Sequence, residues 1–275
     1  MENSTGRDKK GLEARLKAVT DVVERGGGEV GTQGGGESKQ SASACFPVSP
    51  LPRSPATLIA VTKTHPLAVI EEAIRLGITD FGENKVQEAA AKYPAIKAKY
   101  PHIKLHLIGG LQSNKVKEAL ALFDVIHTID RPKLVDAVVK EVVRGGWCVV
   151  RKEKDAPENG QNATPHIPRT THHAPRVFLI QVNTGQEAQK GGVSPAELPA
   201  LLAYCKAAGL PISGLMCIPP ANEPPAPHFA LLQKLAAKHG LKELSMGMSG
   251  DYKIALRFGA SMIRLGTALF GEREA

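Results

Sequence analysis

The sequence predicts a single (β/α)8 barrel of the TIM type, and three observations carry the prediction. Short apolar runs recur along the chain, each of a length that suits a strand buried on both faces. Stretches with helical periodicity, bounded by helix start and stop residues, fill the gaps between them. The length of 275 residues accommodates one barrel, usually about 250 residues, with extra segments to spare.

The elements follow in order. Within an N-terminal unit of residues 1–25, Leu12, Leu16, Val19, Val22 and Val23 share one helical face over residues 11–25. Residues 26–55 hold seven glycines, five serines and four prolines, too little apolar surface to offset the entropy of ordering, so a disordered segment is expected. The barrel itself is expected over 56–273. Its first strand, 57–62, leads through Thr64-His65-Pro66 into a helix at 66–76, with Leu67, Ile70 and Ile74 on one face and Gly77 as the stop. Strands at 78–81, 104–108 and 124–129 alternate with helices near 86–99, 113–122 and 131–144. Residues 145–175 contain Pro157, Pro165, Pro168 and Pro175 among mixed charges and read as an irregular surface insertion. After a strand at 177–182, Ser194-Pro195-Ala196-Glu197 is a capping box that opens a helix closed by Gly209. Strands at 211–216, 242–246 and 260–265 alternate with helices near 227–239 and 250–258. No full helix fits after the eighth strand, so the N-terminal helix is expected to pack over that place.

Composition narrows the function. The net charge of +8 comes from basic residues scattered among glutamates, with 4% aromatics and no basic stripe, which argues against nucleic acid and for an attraction to small anions. No apolar run is long enough to span a bilayer and no apolar signal core opens the chain, so no membrane partner is expected and the cytoplasm is the expected location. Cys45, Cys148, Cys205 and Cys217 lack paired spacing and read as reduced thiols. His166, His172 and His173 have no acidic or cysteine partner at ligand spacing, so no metal site is expected.

The chemistry is expected at the C-terminal ends of the strands, where barrels carry their active face and bind phosphate after strands seven and eight. Lys63 ends the run T-L-I-A-V-T-K and is delivered to that face, where it either reaches solvent or offers its amine to a carbonyl. Ser249-Gly250 and Gly266-Thr267 follow strands seven and eight, each pairing a hydroxyl with backbone N–H groups left free for an anion. Asn84 ends strand two in F-G-E-N, placed either to donate its amide into the pocket or to cap the helix that begins near Lys85. Arg264 lies in strand eight, facing a ligand or paired with a carboxylate such as Asp251.

Seven motifs in order, A-V-T-K-T-H-P, F-G-E-N-K-V-Q-E, H-L-I-G-G-L-Q-S-N-K, Q-V-N-T-G-Q-E-A-Q-K-G-G, G-L-M-C-I-P-P, S-M-G-M-S-G-D and R-L-G-T-A-L-F-G, closely resemble the pyridoxal 5'-phosphate (PLP) homeostasis proteins. These are small single-domain relatives of the alanine racemase N-terminal barrel. The resemblance covers about residues 56–144 and 176–273. It implies that PLP is bound as a Schiff base on Lys63, with Arg264 facing the pyridine nitrogen. The implied role is a carrier or buffer of the cofactor for PLP-dependent apo-enzymes, working as a monomer. An amino-acid racemase on the same barrel is the alternative. Where a second lysine, a tyrosine, an aromatic and a histidine are common in that family, this chain has His65, Lys85, Leu105 and Gly110.

Overall fold

The structure, a computed structural model, describes residues 3–26, 55–145 and 176–272. Eight parallel strands close into a barrel in sequence order. They are β1 (Thr57–Val61), β2 (Asp80–Glu83), β3 (Lys104–Leu107), β4 (Val125–Ile129), β5 (Val177–Gln181), β6 (Gly214–Met216), β7 (Glu243–Ser245) and β8 (Met262–Leu265). Pairing of β1 with β8, in the register Ile59↔Arg264, closes the ring.

The helices are α1 (Asn3–Glu24), α2 (Leu67–Arg75), α3 (Val86–Lys99), α4 (Val116–Leu122), α5 (Pro132–Arg144), α6 (Leu198–Ala207), α7 (Pro225–Lys238), α8 (Tyr252–Arg257) and α9 (Thr267–Phe270). The stretch expected as one helix over 113–122 is divided into a 3-10 turn, Ser113–Lys115, followed by α4. The capping box ahead of α6 forms, with Glu197 N–H donating to Ser194 Oγ at 3.2 Å and the Ser194 hydroxyl donating to the Glu197 carboxylate at 2.6 Å.

Five strands start later than the apolar runs suggest, and for β2 and β8 a helix-cap motif gives the reason. Helices α2, α6, α7 and α8 each end on a left-handed glycine, Gly77, Gly209, Gly240 or Gly259. The N–H of the next residue returns to a carbonyl five positions back, as in Ile78 to Ala73 O and Leu210 to Cys205 O, both within 3.0 Å. This is the Schellman arrangement, in which the apolar residue after the glycine folds back on its helix. Ile78, Leu210, Leu241 and Ala260 therefore belong to helix caps, and β2, β6, β7 and β8 begin beyond them.

The main core lies between barrel and helices, where Phe81, Tyr93, Phe123, Phe178 and Phe229 are fully buried. The barrel interior is different. Alongside Ile59, Leu179, Met216 and Met262, it holds Asp80, His106, His127, Ser245 and Arg264, all buried. Gly82 makes room there, since a Cβ on it would come within 3.0 Å of Ile59 and 3.1 Å of Ile108.

Among the described residues the short α9 follows β8, and α1 packs against it. Leu12, Val19 and Val23 are buried on the inner face of α1, and Arg15 donates to Leu269 O at 2.6 Å. Apart from Gly26, Pro55 and Gly145 at their edges, the segments 26–55 and 145–175 lie outside the described residues, with Cys45, Cys148, His166, His172 and His173. Gly145 and Arg176, which flank the second segment, are both at the N-terminal face of the barrel. Cys205 and Cys217 are buried free thiols, pushed up to about 11 and about 12 by burial. Among the described residues no helix is long and apolar enough to cross a membrane, and no cluster of three potential metal ligands occurs.

Candidate functional site

A cleft of about 390 Å³ opens at the C-terminal ends of β1, β2, β7 and β8. Its lining includes Lys63, Asn84, Ser249, Gly250, Arg264, Gly266 and Thr267, so all seven residues singled out in the sequence meet at one cavity. Val61, Ile108 and Ile218 add apolar wall, and His65 lies against the ring of Phe270 with centroids 4.5 Å apart.

Lys63 is half-buried, two residues beyond β1, on a tightly held turn. Thr62 prolongs the pairing with β2 through its N–H to Gly82 O, while its buried hydroxyl donates to Glu83 at 2.9 Å and accepts from Tyr93 at 2.6 Å. Thr64 has φ of 67°, a left-handed conformation that costs a non-glycine residue about 1–3 kcal/mol. Its N–H is bonded to Glu88 at 2.5 Å. Lys92 joins the two sides, reaching Glu83 at 2.7 Å, Glu88 at 2.9 Å and Thr62 O at 3.1 Å. The turn carrying Lys63 is thus clamped from both ends by β2 and α3.

Asn84 follows β2 directly and does not cap α3, whose N-cap is Lys85. The chain beyond β3 crosses so close to it that a Cβ on Gly109 would come 2.2 Å from Asn84 O. No such pressure acts at Gly110, where a Cβ would meet nothing within 4 Å.

The loops after β7 and β8 are joined through one hydroxyl. Ser249 Oγ accepts from Gly266 N at 3.3 Å and from Ala268 N at 3.1 Å, so these two amides are not free, as the sequence suggested, but already organised around a side-chain oxygen. A Cβ on Gly250 would meet nothing within 4 Å, and one on Gly266 only ordinary contact with Val61 at 3.7 Å and more. Neither glycine has a positive φ. Their missing side chains leave cavity space open where a bound group would sit.

Arg264 is 4% exposed, and no carboxylate pairs with it among the described residues. It donates to Ser245 Oγ at 2.6 Å and to Cys217 O at 2.8 Å, and burial pulls the guanidinium below its usual range. Asp251, the carboxylate considered as its partner, instead accepts from Met248 N at 2.6 Å and ties its own turn.

Sequence reasoning missed the Glu83–Thr62–Tyr93–Lys92 clamp and the histidines of the barrel interior. Both left a signal. His106 and His127 are polar residues inside runs otherwise apolar enough for burial, Glu83 follows such a run by two residues, and buried polar groups need partners.

A family model described as "Alanine racemase, N-terminal domain" matches residues 51–274. Pyridoxal phosphate homeostasis proteins of Aquifex aeolicus and Vibrio cholerae are 35% and 38% identical, covering 80% and 81% of this chain and 88% and 87% of their own. The chain belongs to the pyridoxal phosphate homeostasis protein family. PipY of Synechococcus elongatus, solved with PLP bound, is 30% identical, with a TM-score of 0.67 over 94% of this chain and 100% of its own. An alanine racemase of Clostridium difficile shares the fold at 9% identity and a TM-score of 0.61, and the family member described here covers 97% of itself but 58% of that chain.

Proposed function

We propose that this chain is a PLP-binding protein of PLP homeostasis, which holds and buffers the cofactor for other enzymes and turns over no substrate of its own. When bound, the cofactor supplies an aldehyde that condenses with amines and a pyridine ring that draws electrons. The residues present fit it. Lys63 offers the amine, Ser249, Gly250, Gly266 and Thr267 hold the phosphate, and Asn84 donates to the phenolic oxygen or steadies Lys63. Arg264 donates to the ring nitrogen.

Arg264 is the observation that carries the reading. A guanidinium has donors only and does not deprotonate, so a nitrogen facing it stays an acceptor, and the ring loses most of its pull on electrons. Racemisation further needs acid/base groups on both faces of the substrate. Among the described residues, the titratable side chains lining the cavity are Lys63, His65 and Arg264, and His65 is packed on Phe270. PLP-dependent apo-enzymes are the receivers this reading implies, in the cytoplasm, with the chain working as a monomer.

The purified protein should show a visible band that borohydride bleaches and fixes to the peptide carrying Lys63. Lys63→Ala should lose the band and keep its circular dichroism; a variant that stays yellow removes Lys63 from this role. Deuterium wash-in at Cα of L-alanine, followed by proton NMR, should run no faster than with free PLP. Rates of about 1 to 1,000 per second would make the protein a racemase.

A further inference from the structure

Four hydrogen bonds run in series through the barrel interior, from the base of β2 to the cofactor cleft. Asp80 Oδ1 lies 2.9 Å from His106 Nε2, His106 Nδ1 lies 3.0 Å from His127 Nε2, His127 Nδ1 lies 2.9 Å from Ser245 Oγ, and Ser245 Oγ lies 2.6 Å from Arg264 Nη1. Five strands contribute one residue each. Both histidines and Ser245 are buried, and Asp80 receives a further hydrogen bond from the Thr79 hydroxyl at 2.6 Å.

With both histidine rings neutral, the two ends of the series set one direction for it. A carboxylate only accepts, so His106 then donates from Nε2 and accepts at Nδ1. His127 must then donate from Nε2 and accept at Nδ1. The Ser245 hydroxyl donates to His127 and turns its lone pairs to the Arg264 guanidinium, which only donates. Every bond points the same way, from cation to anion, the arrangement in which each bond polarises the next. Burial, with the neighbouring Arg264 guanidinium, keeps His127 well below the usual histidine range, in its neutral form. Burial alone would raise the Asp80 carboxyl, but its bonds to His106 and Thr79 outweigh that and leave it below its usual value.

We propose that Asp80 is the relayed counter-ion of Arg264, acting through His106, His127 and Ser245 as a positioning residue that sets the guanidinium against the ring nitrogen of the cofactor. The proposal rests on the PLP reading of the cleft for its consequence, but the direction of the relay does not. It assigns a purpose to a polar interior where barrels of this kind are usually filled with branched aliphatic side chains.

Two measurements test it. Long-range proton–nitrogen NMR spectra of histidine-labelled protein, recorded without cofactor, should show both His106 and His127 as neutral rings protonated at Nε2. An Nδ1-protonated or doubly protonated ring at either position overturns the direction. Asp80→Asn keeps the shape and removes the charge, and Ser245→Ala breaks the far end. Each should weaken PLP retention about 3- to 10-fold and shift the visible band. The double variant should be no worse than the worse single one, because either break interrupts the same relay. Effects that multiply, as expected of two separate structural sites, overturn the relay. Wild-type protein that takes up no PLP overturns the cofactor reading instead, and the ring-nitrogen spectra still decide the relay. If Asp80→Asn does not fold, the spectra of Ser245→Ala decide. Loss of the single Nε2 tautomer at His127 supports the relay, and an unchanged His127 signal overturns it.

Discussion

Replacing Lys92 by methionine probes the clamp beneath Lys63. The substitution keeps most of the apolar stem and removes the ammonium group that touches Glu83, Glu88 and Thr62 O. The Glu83 side chain has no solvent exposure, its Oε2 has no hydrogen-bond partner, and Lys92 is the one cation paired with it among the described residues. Breaking such a pair costs about 3–5 kcal/mol. The lower end applies because Lys92 is 14% exposed and Glu83 can take up a proton, which gives a loss of about 3 kcal/mol. For a chain of this size that lowers the melting temperature by roughly 6–12 °C.

The loss should also depend on pH, with a definite sign. Burial raises the Glu83 carboxyl above its ordinary value of 4.5, an effect that Lys92 opposes, and removing Lys92 raises it further. A carboxyl raised on folding costs stability where it must ionise, and that cost fades as pH falls through its folded pKa towards the ordinary value. The deficit of Lys92→Met should therefore be larger at about pH 8 than at about pH 5, measured by urea unfolding. Adding Glu83→Gln should recover most of it at the higher pH. Equal deficits at both values, no recovery with glutamine, or a loss under about 1 kcal/mol would refute the argument.

Gly109→Ala should cost about 1–3 kcal/mol in urea unfolding, because the new Cβ meets the Asn84 backbone, whereas Gly110→Ala should stay within about 0.5 kcal/mol of the parent. Gly250→Ala should unfold like the parent yet retain PLP about tenfold less well in equilibrium dialysis, since its Cβ enters open cleft. Ser249→Ala with Thr267→Ala should weaken PLP retention about a hundredfold or more, at about 1.5–3 kcal/mol for each charge-assisted bond. Pyridoxal, which lacks the phosphate, should bind the parent and the double variant alike, and equal affinity of the parent for pyridoxal and PLP would count against the phosphate role.

The lining of the cleft was legible because each part is a contiguous signal. Lys63, Ser249-Gly250 and Gly266-Thr267 stand just beyond apolar strands, and in a barrel the ends of strands converge on one face. Two strand beginnings were less legible, because Ile78 and Ala260 are as apolar as any strand residue and only the preceding glycine marks them as caps. The relay was hidden for another reason. Asp80, His106, His127 and Ser245 sit on four separate strands, and only the closed register makes them neighbours. The place of Ser249 at the cleft was legible but not its bonding partners, since a hydroxyl after a strand does not reveal that it will gather amides from the next loop.

The contact between Arg15 and Leu269 bears on the order in which this molecule is made. The two residues are 254 positions apart, so α1 emerges from the ribosome first and has nothing to dock on until the last strand and α9 follow. Domains fold as their residues emerge, and contacts of such separation close late. The loop carrying the amides of Gly266 and Ala268 belongs to that final step. A nascent chain that already displays Lys63 is therefore still without half of its pocket, and a cofactor as reactive as an aldehyde meets a finished receptacle only after synthesis has passed β8.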